Sequence, residues 1–297
     1  MKKLPFICLI LSMTIFGSVG VFVHYIPFPS AFLAMSRGLI GTLFVLFFLL
    51  ISKKGIDFSA IRKNLLLLLI SGAFIGINWI LLFESFKHTT VAIATLCYYM
   101  APLFVTVASA IFFKERLTPK KCICITVSVC GMVFVSGVIN GEAPARSQVV
   151  GILLGIGAAF FYSCVTLLNK KAKNISSFDM TLVQLFFAAI TVMPYSLICE
   201  EISFSGVKPI GIVLLILVGI LHTGIAYVLY FTSVKHLEAS KVAIFSYVDP
   251  ILAILLSALF LKEKMTPVTA IGAIMILTSA FFGEVKISQF FKKREKR

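Results

Sequence analysis

The chain has 297 residues, of which 60% are hydrophobic and only 13% charged, with a mean hydropathy of +1.05 and a formal charge of +15. A water-soluble globule carries roughly twice that charged fraction, so the composition excludes a soluble domain and makes lipid the solvent for this chain. The positive charge sits in alternate loops rather than in one patch, which argues against a nucleic-acid partner.

A spanning helix takes about 20 apolar residues. Breaks at charge, Gly and Pro clusters divide the sequence into stretches at 5–25, 29–51, 64–86, 90–113, 119–138, 149–169, 178–199, 208–232, 239–261 and 267–285. The expected fold class is all-α integral membrane with ten transmembrane helices. Only a turn around Pro27 and Pro29 separates the first two spans, so they form a hairpin. Met1 to Phe28 has the charged start and apolar run of a signal peptide, but it lacks a small-x-small cleavage site and runs into another span. It reads as a retained first helix.

Orientation follows from Lys and Arg. With the amino terminus placed in the cytoplasm, 21 of these residues fall inside and five outside (Lys87, Arg146, Lys208, Lys262 and Lys264), while Arg37 alone lies within a span. The positive-inside rule then puts both termini in the cytoplasm and the protein in the cytoplasmic (inner) membrane. Residues 286–297 form a basic cytoplasmic tail, and its Lys292 to Arg297 stretch reads as an anchor beside anionic lipid. The seven cysteines are odd in number, lie in or at the ends of apolar runs and include no Cys-x-x-Cys, so they read as small buried hydrophobes. The four histidines are scattered, and neither a metal nor a cofactor is expected.

The block from Gly72 to Pro119 returns 148 residues later without a gap, with 16 identities over 48 positions. Phe83, Ser85, Lys87, His88, Tyr99, Pro102, Lys114, Glu115, Thr118 and Pro119 reappear as Phe231, Ser233, Lys235, His236, Tyr247, Pro250, Lys262, Glu263, Thr266 and Pro267. Five spans separate the fourth helix from the ninth, so the copies cross the membrane in opposite directions. Residues 1–139 and 149–285 are thus expected to be two inverted five-helix repeats, a transporter signature.

Within the repeat, Thr118 and Thr266 are suited to cap helices whose first residues are Pro119 and Pro267. Glu115 and Glu263 are expected near the start of those same helices, where the dipole favours negative charge. Pro102 and Pro250 each remove one backbone hydrogen bond partway along a span and bend it. Paired bends in inverted halves point to a central cavity.

Rise per residue estimates the depth of the polar groups. Asp249 lies about 15 Å beyond Ala239, Arg37 about 12 Å from Pro29, Tyr99 about 12 Å from Val91, and Asn78 and His222 about 20 Å from the starts of their spans. Each ionisable group at such depth costs at least ~2.5 kcal/mol against lipid, so Arg37, His222 and Asp249 must find partners or water. Arg37 and Asp249 form a structural ion pair, or a zwitterionic or anionic cargo bridges them, or Asp249 takes a proton. His222 is a second proton-coupling candidate or a hydrogen-bonded helix residue. Trp79, Tyr98, Tyr99, Tyr227 and Tyr247 are aromatic candidates for lining a binding site, with Asn78 beside them. Glu84, within a turn of Lys87 and His88, reads as interfacial, and Gly72, Gly76, Gly151, Gly155 and Gly157 have close-packing spacing.

Ten spans in two halves, Arg37 in the second helix and the paired stretches Lys114 to Pro119 and Lys262 to Pro267 resemble the drug/metabolite transporter superfamily, and within it the EamA-type transporters. That resemblance implies a permease for amino acids or other small metabolites. Tyr247-Val248-Asp249-Pro250 resembles a ninth-helix motif of part of the family, whereas Tyr99-Met100-Ala101-Pro102 lacks the acid. The expectation is a secondary carrier, not an enzyme, that moves a small polar metabolite by alternating access. No Gly-x-x-x-x-Gly-Lys-Ser/Thr occurs, so a gradient supplies the energy. Its partners are a small-molecule cargo and membrane lipid, with the oligomeric state open. The alternative is an integral-membrane enzyme or flippase acting on lipid-like substrates, for which the short Lys-rich loops lack clustered acids.

Overall fold

The computed structural model describes residues 3–53, 55–112, 117–136, 138–140, 145–234, 236–237 and 239–284. Lys114, Glu115, Arg116, Lys235 and the basic tail 286–297 lie outside the described residues.

The elements in chain order are α1 (Lys3–His24), α2 (Ser30–Ile51), α3 (Phe58–His88), α4 (Val91–Tyr98), α5 (Ala101–Phe112), α6 (Pro119–Val135), a short 3₁₀ turn (Val138–Asn140), α7 (Arg146–Asn169) and α8 (Ser177–Cys199). They continue with α9 (Pro209–Leu217), a π-helical segment (Val218–Ile225), α10 (Ala226–Val234), α11 (Ala239–Ser246), α12 (Val248–Phe260) and α13 (Pro267–Glu284). Among the described residues the structure is helical, with no strand.

Seven helices, with Val91–Phe112 and Pro209–Val234 each counted as one, are long and apolar enough to cross a membrane, and Ile244–Phe260 and Pro267–Gly283 are shorter apolar helices. The protein is an integral membrane protein. Its exterior is an apolar belt that includes Leu4, Phe47, Leu66, Ile198 and Leu259, all exposed. In water such a surface would aggregate; against lipid it costs nothing. All seven cysteines are unpaired, yet only Cys97 and Cys124 are buried, while Cys122, Cys130 and Cys199 lie on the outside. In this solvent a small apolar side chain need not be buried in protein.

Helix starts follow local chemistry. The Thr118 hydroxyl accepts from Lys121 N and that of Thr266 from Thr269 N, with Pro119 and Pro267 as first helical residues. Asp57 accepts from Ala60 N, so α3 begins six residues before the apolar stretch at 64. The fourth stretch breaks between Tyr98 and Ala101 and the ninth at Tyr247, with Pro102 second in α5 and Pro250 third in α12. Proline has no N–H to offer the carbonyl one turn back, and the helix restarts there instead of continuing.

Packing pairs the elements tightly: α3 lies along α7 and α8, α2 along α8, α6 along α13, and α1 along α10 and α12. Side chains at Gly72, Gly76, Gly151 and Gly155 would lie 2.7–2.8 Å from atoms of α8, Thr89 or Cys97, so these close approaches require glycine. Gly157 differs, with its nearest neighbour at an ordinary 3.4 Å. The two halves of the fourth and ninth spans behave differently: α4 packs on α12, whereas α5 and α11 do not form a packed pair.

Candidate functional site

Arg37 is built into the middle of α2. Gly38 and Gly41 let α8 and the π-helical segment approach α2 closely. The Arg37 Nε donates to Thr223 Oγ1 at 2.6 Å, and its guanidinium carbon lies 4.5 Å from the Trp79 ring centre and 5.6 Å from that of Phe83. These rings offer a cation–π contact. The Thr223 hydroxyl reaches back to Val218 O, five residues earlier, the spacing of a π turn. Gly219 and Gly224 face Ile40 and Phe44 of α2, so α2 and the widened turn are in direct contact. Among the described residues Arg37 makes no other hydrogen bond, and no carboxylate neutralises it.

Asn78 is buried on α3, where Nδ2 donates to Ala158 O of α7 at 2.6 Å, and it lies beside Tyr98. Tyr98 packs 5.4 Å from Tyr162 and 6.4 Å from Tyr99, centre to centre. The Tyr99 hydroxyl donates to Asp249 Oδ2 at 2.8 Å, joining the end of α4 to the first turn of α12. Tyr227 lies near both Arg37 and Tyr98. Tyr98, Tyr99, Tyr227 and Asp249 are densely surrounded by protein, yet each keeps part of its surface accessible. This partly accessible polar surface is the wall of the candidate site.

Seven of the nine sequence candidates form one continuous neighbourhood, in which buried Arg37, Asn78 and Trp79 back the partly accessible Tyr98, Tyr99, Tyr227 and Asp249. Tyr247 stands at their flank, 6.3 Å from Tyr99 and 5.5 Å from Phe281 of α13. His222 is near Arg37, but its own contacts lie elsewhere. It is fully buried, its Nε2 is 3.0 Å from Ser18 Oγ, and its ring lies 4.8 Å from Phe22, so it faces α1 instead of the wall. Of the alternatives open for Arg37 and Asp249, the direct ion pair is not formed, because Arg37 is taken by Thr223 and Trp79 and Asp249 by Tyr99. Sequence reasoning missed Tyr162 and Thr223. A lone Tyr in an apolar span was the available signal for the first, and nothing local marked the second.

A second group of carboxylates lies at one end of the bundle. Glu84 accepts from Ser30 Oγ at 2.6 Å and pairs with Lys87 at 3.2 Å and His88 at 3.4 Å, the interfacial cluster its spacing implied. Glu200 accepts from Ala31 N and Phe32 N at 2.9 and 2.8 Å, at the start of α2. Glu263 corrects an expectation: it does not serve the start of α13 but accepts from Val91 N and Ala92 N of α4, at 2.8 and 3.2 Å. Lys262, with φ of 55°, turns the chain left-handed after α12 and carries Glu263 across to α4.

The family model of the EamA-like transporters matches residues 3–137 and, a second time, residues 149–283. An uncharacterized transporter of Bacillus subtilis (strain 168), YxxF, is 30% identical over 275 residues, or 93% of this chain and 88% of its own length. A probable amino-acid metabolite efflux pump of Escherichia coli (strain K12) is 27% identical over 200 residues, 64% of this chain and 66% of that protein. A protein of known crystal structure, 19% identical, superimposes with a TM-score of 0.66 over 96% of this chain and 98% of its own, a likeness of fold.

Proposed function

The chain belongs to the EamA-like transporter family and is a membrane transporter, not an enzyme; we propose that it is a secondary carrier moving an amino acid or closely related small polar metabolite by alternating access. The observation that carries this reading is a continuous run of polar neighbours, from buried Arg37 through Tyr227 and Tyr98 to Asp249, in which the two opposite charges do not neutralise each other. Arg37 has guanidinium N–H groups to spare for a cargo carboxylate. Asp249, held by Tyr99, offers its other oxygen to an ammonium group. The surrounding tyrosine and tryptophan rings accommodate the apolar part of such a cargo. The efflux-pump relative is named for the same class of cargo.

Ten transmembrane helices in two inverted five-helix repeats, 1–139 and 149–285, complete the proposal. Two matches of a single family model support it, as do the matched breaks before Pro102 and Pro250. So does the packing, in which α7 lies on α3 as α1 lies on α10. The distribution of Lys and Arg supports a cytoplasmic-membrane location with both termini inside. The Glu84, Glu200 and Glu263 end is then the outer face. The packing of α4 on α12 there, without a packed α5–α11 pair at the other end, supports reading this conformation as closed outside and open inside.

Purified protein screened for thermal stabilisation by amino acids and related metabolites, then assayed for counterflow in vesicles, tests the reading, since a ligand of the folded state raises its melting point. Stereoselective stabilisation followed by saturable counterflow is the expected result. Counterflow of no zwitterionic or carboxylated compound would overturn it.

A further inference from the structure

Glu200 and Glu263 both bind a helix start on the same face, but in different mechanical settings. Glu200 joins α8 to α2, two helices already packed along each other, so its contact adds to a fixed pair. Glu263 joins the α12–α13 turn to α4. Below that point Tyr99 and Asp249 hold the same two elements together, and beyond their breaks the continuing helices α5 and α11 are not packed on one another. The fourth and ninth spans are thus joined at one end and parted at the other.

Resting on the alternating-access reading, we infer that Glu263 is a latch: its carboxylate on the Val91 and Ala92 amides holds this mouth of the cavity shut, and its release lets α4 and α12 separate. A carboxylate on two amides at a helix start is a charge-assisted contact favoured by the helix dipole. Release does not unravel α4, because the Thr90 hydroxyl keeps Ile93 N capped in either state. Val91 and Ala92 stand at the very first turn, where water replaces the lost acceptor. The left-handed Lys262 is a conformation a lysine rarely adopts, and opening the latch relieves it. Behind both elements α1 offers glycine: Gly20 lies against Val91, and Gly17 against Asp249 O and Leu252. Close contact there leaves α1 a common backing along which the two spans part.

The test uses sided labelling. A cysteine placed at Tyr227, in a chain whose seven native cysteines are replaced, is exposed to a membrane-impermeant thiol reagent from each side of sealed vesicles. With Glu263→Gln, labelling from the Glu263 face rises about tenfold, the effect of losing one charge-assisted contact. Glu200→Gln leaves that rate unchanged. Amide exchange at Val91 and Ala92, measured in an otherwise native protein, rises with Glu263→Gln and provides the reading that does not depend on cysteine replacement. Faster exchange with unchanged labelling would make Glu263 a helix cap and overturn the latch, and so would labelling that rises equally from both faces. Failure of the transport reading shows separately, as absent counterflow in the native protein.

Discussion

Tyr99 and Asp249, 150 residues apart in the chain, meet through a 2.8 Å hydrogen bond from the phenol to Oδ2. The relationship is lopsided. In the 148-residue repeat the counterpart of Tyr99 is Tyr247, but that of Asp249 is Ala101. One half of the molecule therefore supplies the acid and the other its donor, and no equivalent pair exists with the halves exchanged. Asp249 is thus an acid that only one copy of the repeated sequence supplies.

If Asp249 carries the coupling proton, Asp249→Asn abolishes accumulation driven by a pH gradient while cargo still exchanges by counterflow at higher cargo concentration, because the amide can accept from Tyr99 but neither cycles a proton nor pairs the cargo ammonium group. Accumulation at the native rate in that variant would remove Asp249 from the proton path.

His222 gives the opposite expectation. It faces Ser18 and Phe22 and not the wall, so His222→Gln, whose amide can still reach Ser18, retains gradient-driven accumulation at most of the native rate. A loss as deep as that of Asp249→Asn, in protein that is still folded by its melting curve, would make the histidine a relay.

Arg37→Ala weakens carboxylated cargo by at least about tenfold relative to the corresponding amides, as expected for a lost charge-assisted contact worth about 1.5–3 kcal/mol. Competition for counterflow between paired acids and amides measures it. An equal loss for both would assign Arg37 to holding Thr223 and Trp79 in place.

Glycine at two positions separates close packing from mere helix content. A Cβ at Gly17 would lie 2.5 Å from Asp249 O, a backbone atom that cannot step aside, so Gly17→Ala lowers stability by about 1–3 kcal/mol and slows transport. At Gly157 the nearest atom is a Leu81 methyl at 3.4 Å, and Gly157→Ala is neutral or stabilises by up to about 1 kcal/mol. Melting temperatures of the two variants, taken in one detergent, decide it.

Much of the architecture was legible because it is local or compositional. Apolar runs of bilayer length, the Thr118 and Thr266 caps ahead of proline and the Glu84–Lys87–His88 cluster each depend on residues within a turn or two of each other. The breaks before Pro102 and Pro250 follow from a missing N–H. Depth counting put Arg37, Asn78, Tyr99, His222 and Asp249 at comparable depth, since rise per residue is nearly constant in a helix.

Helix rotation was not legible. A span that is apolar on every side carries little periodic signal for which face meets which neighbour, so sequence alone left Arg37 and Asp249 as an ion pair, as two groups bridged by cargo, or with Asp249 as a proton carrier. Tertiary structure removed the direct ion pair by the close approach of α2 to the π-helical segment, which gives Arg37 to Thr223, and of α4 to α12, which gives Asp249 to Tyr99. The same reason explains Glu263, aimed at its own next helix by sequence and at α4 by the fold. The sequence by itself determined that the chain spans lipid, repeats itself and places polar groups at matched depth. Only the packing of the helices decided which of those groups share a wall, because partners 150 residues apart are chosen by the rotation and tilt of whole helices and not by any local pattern.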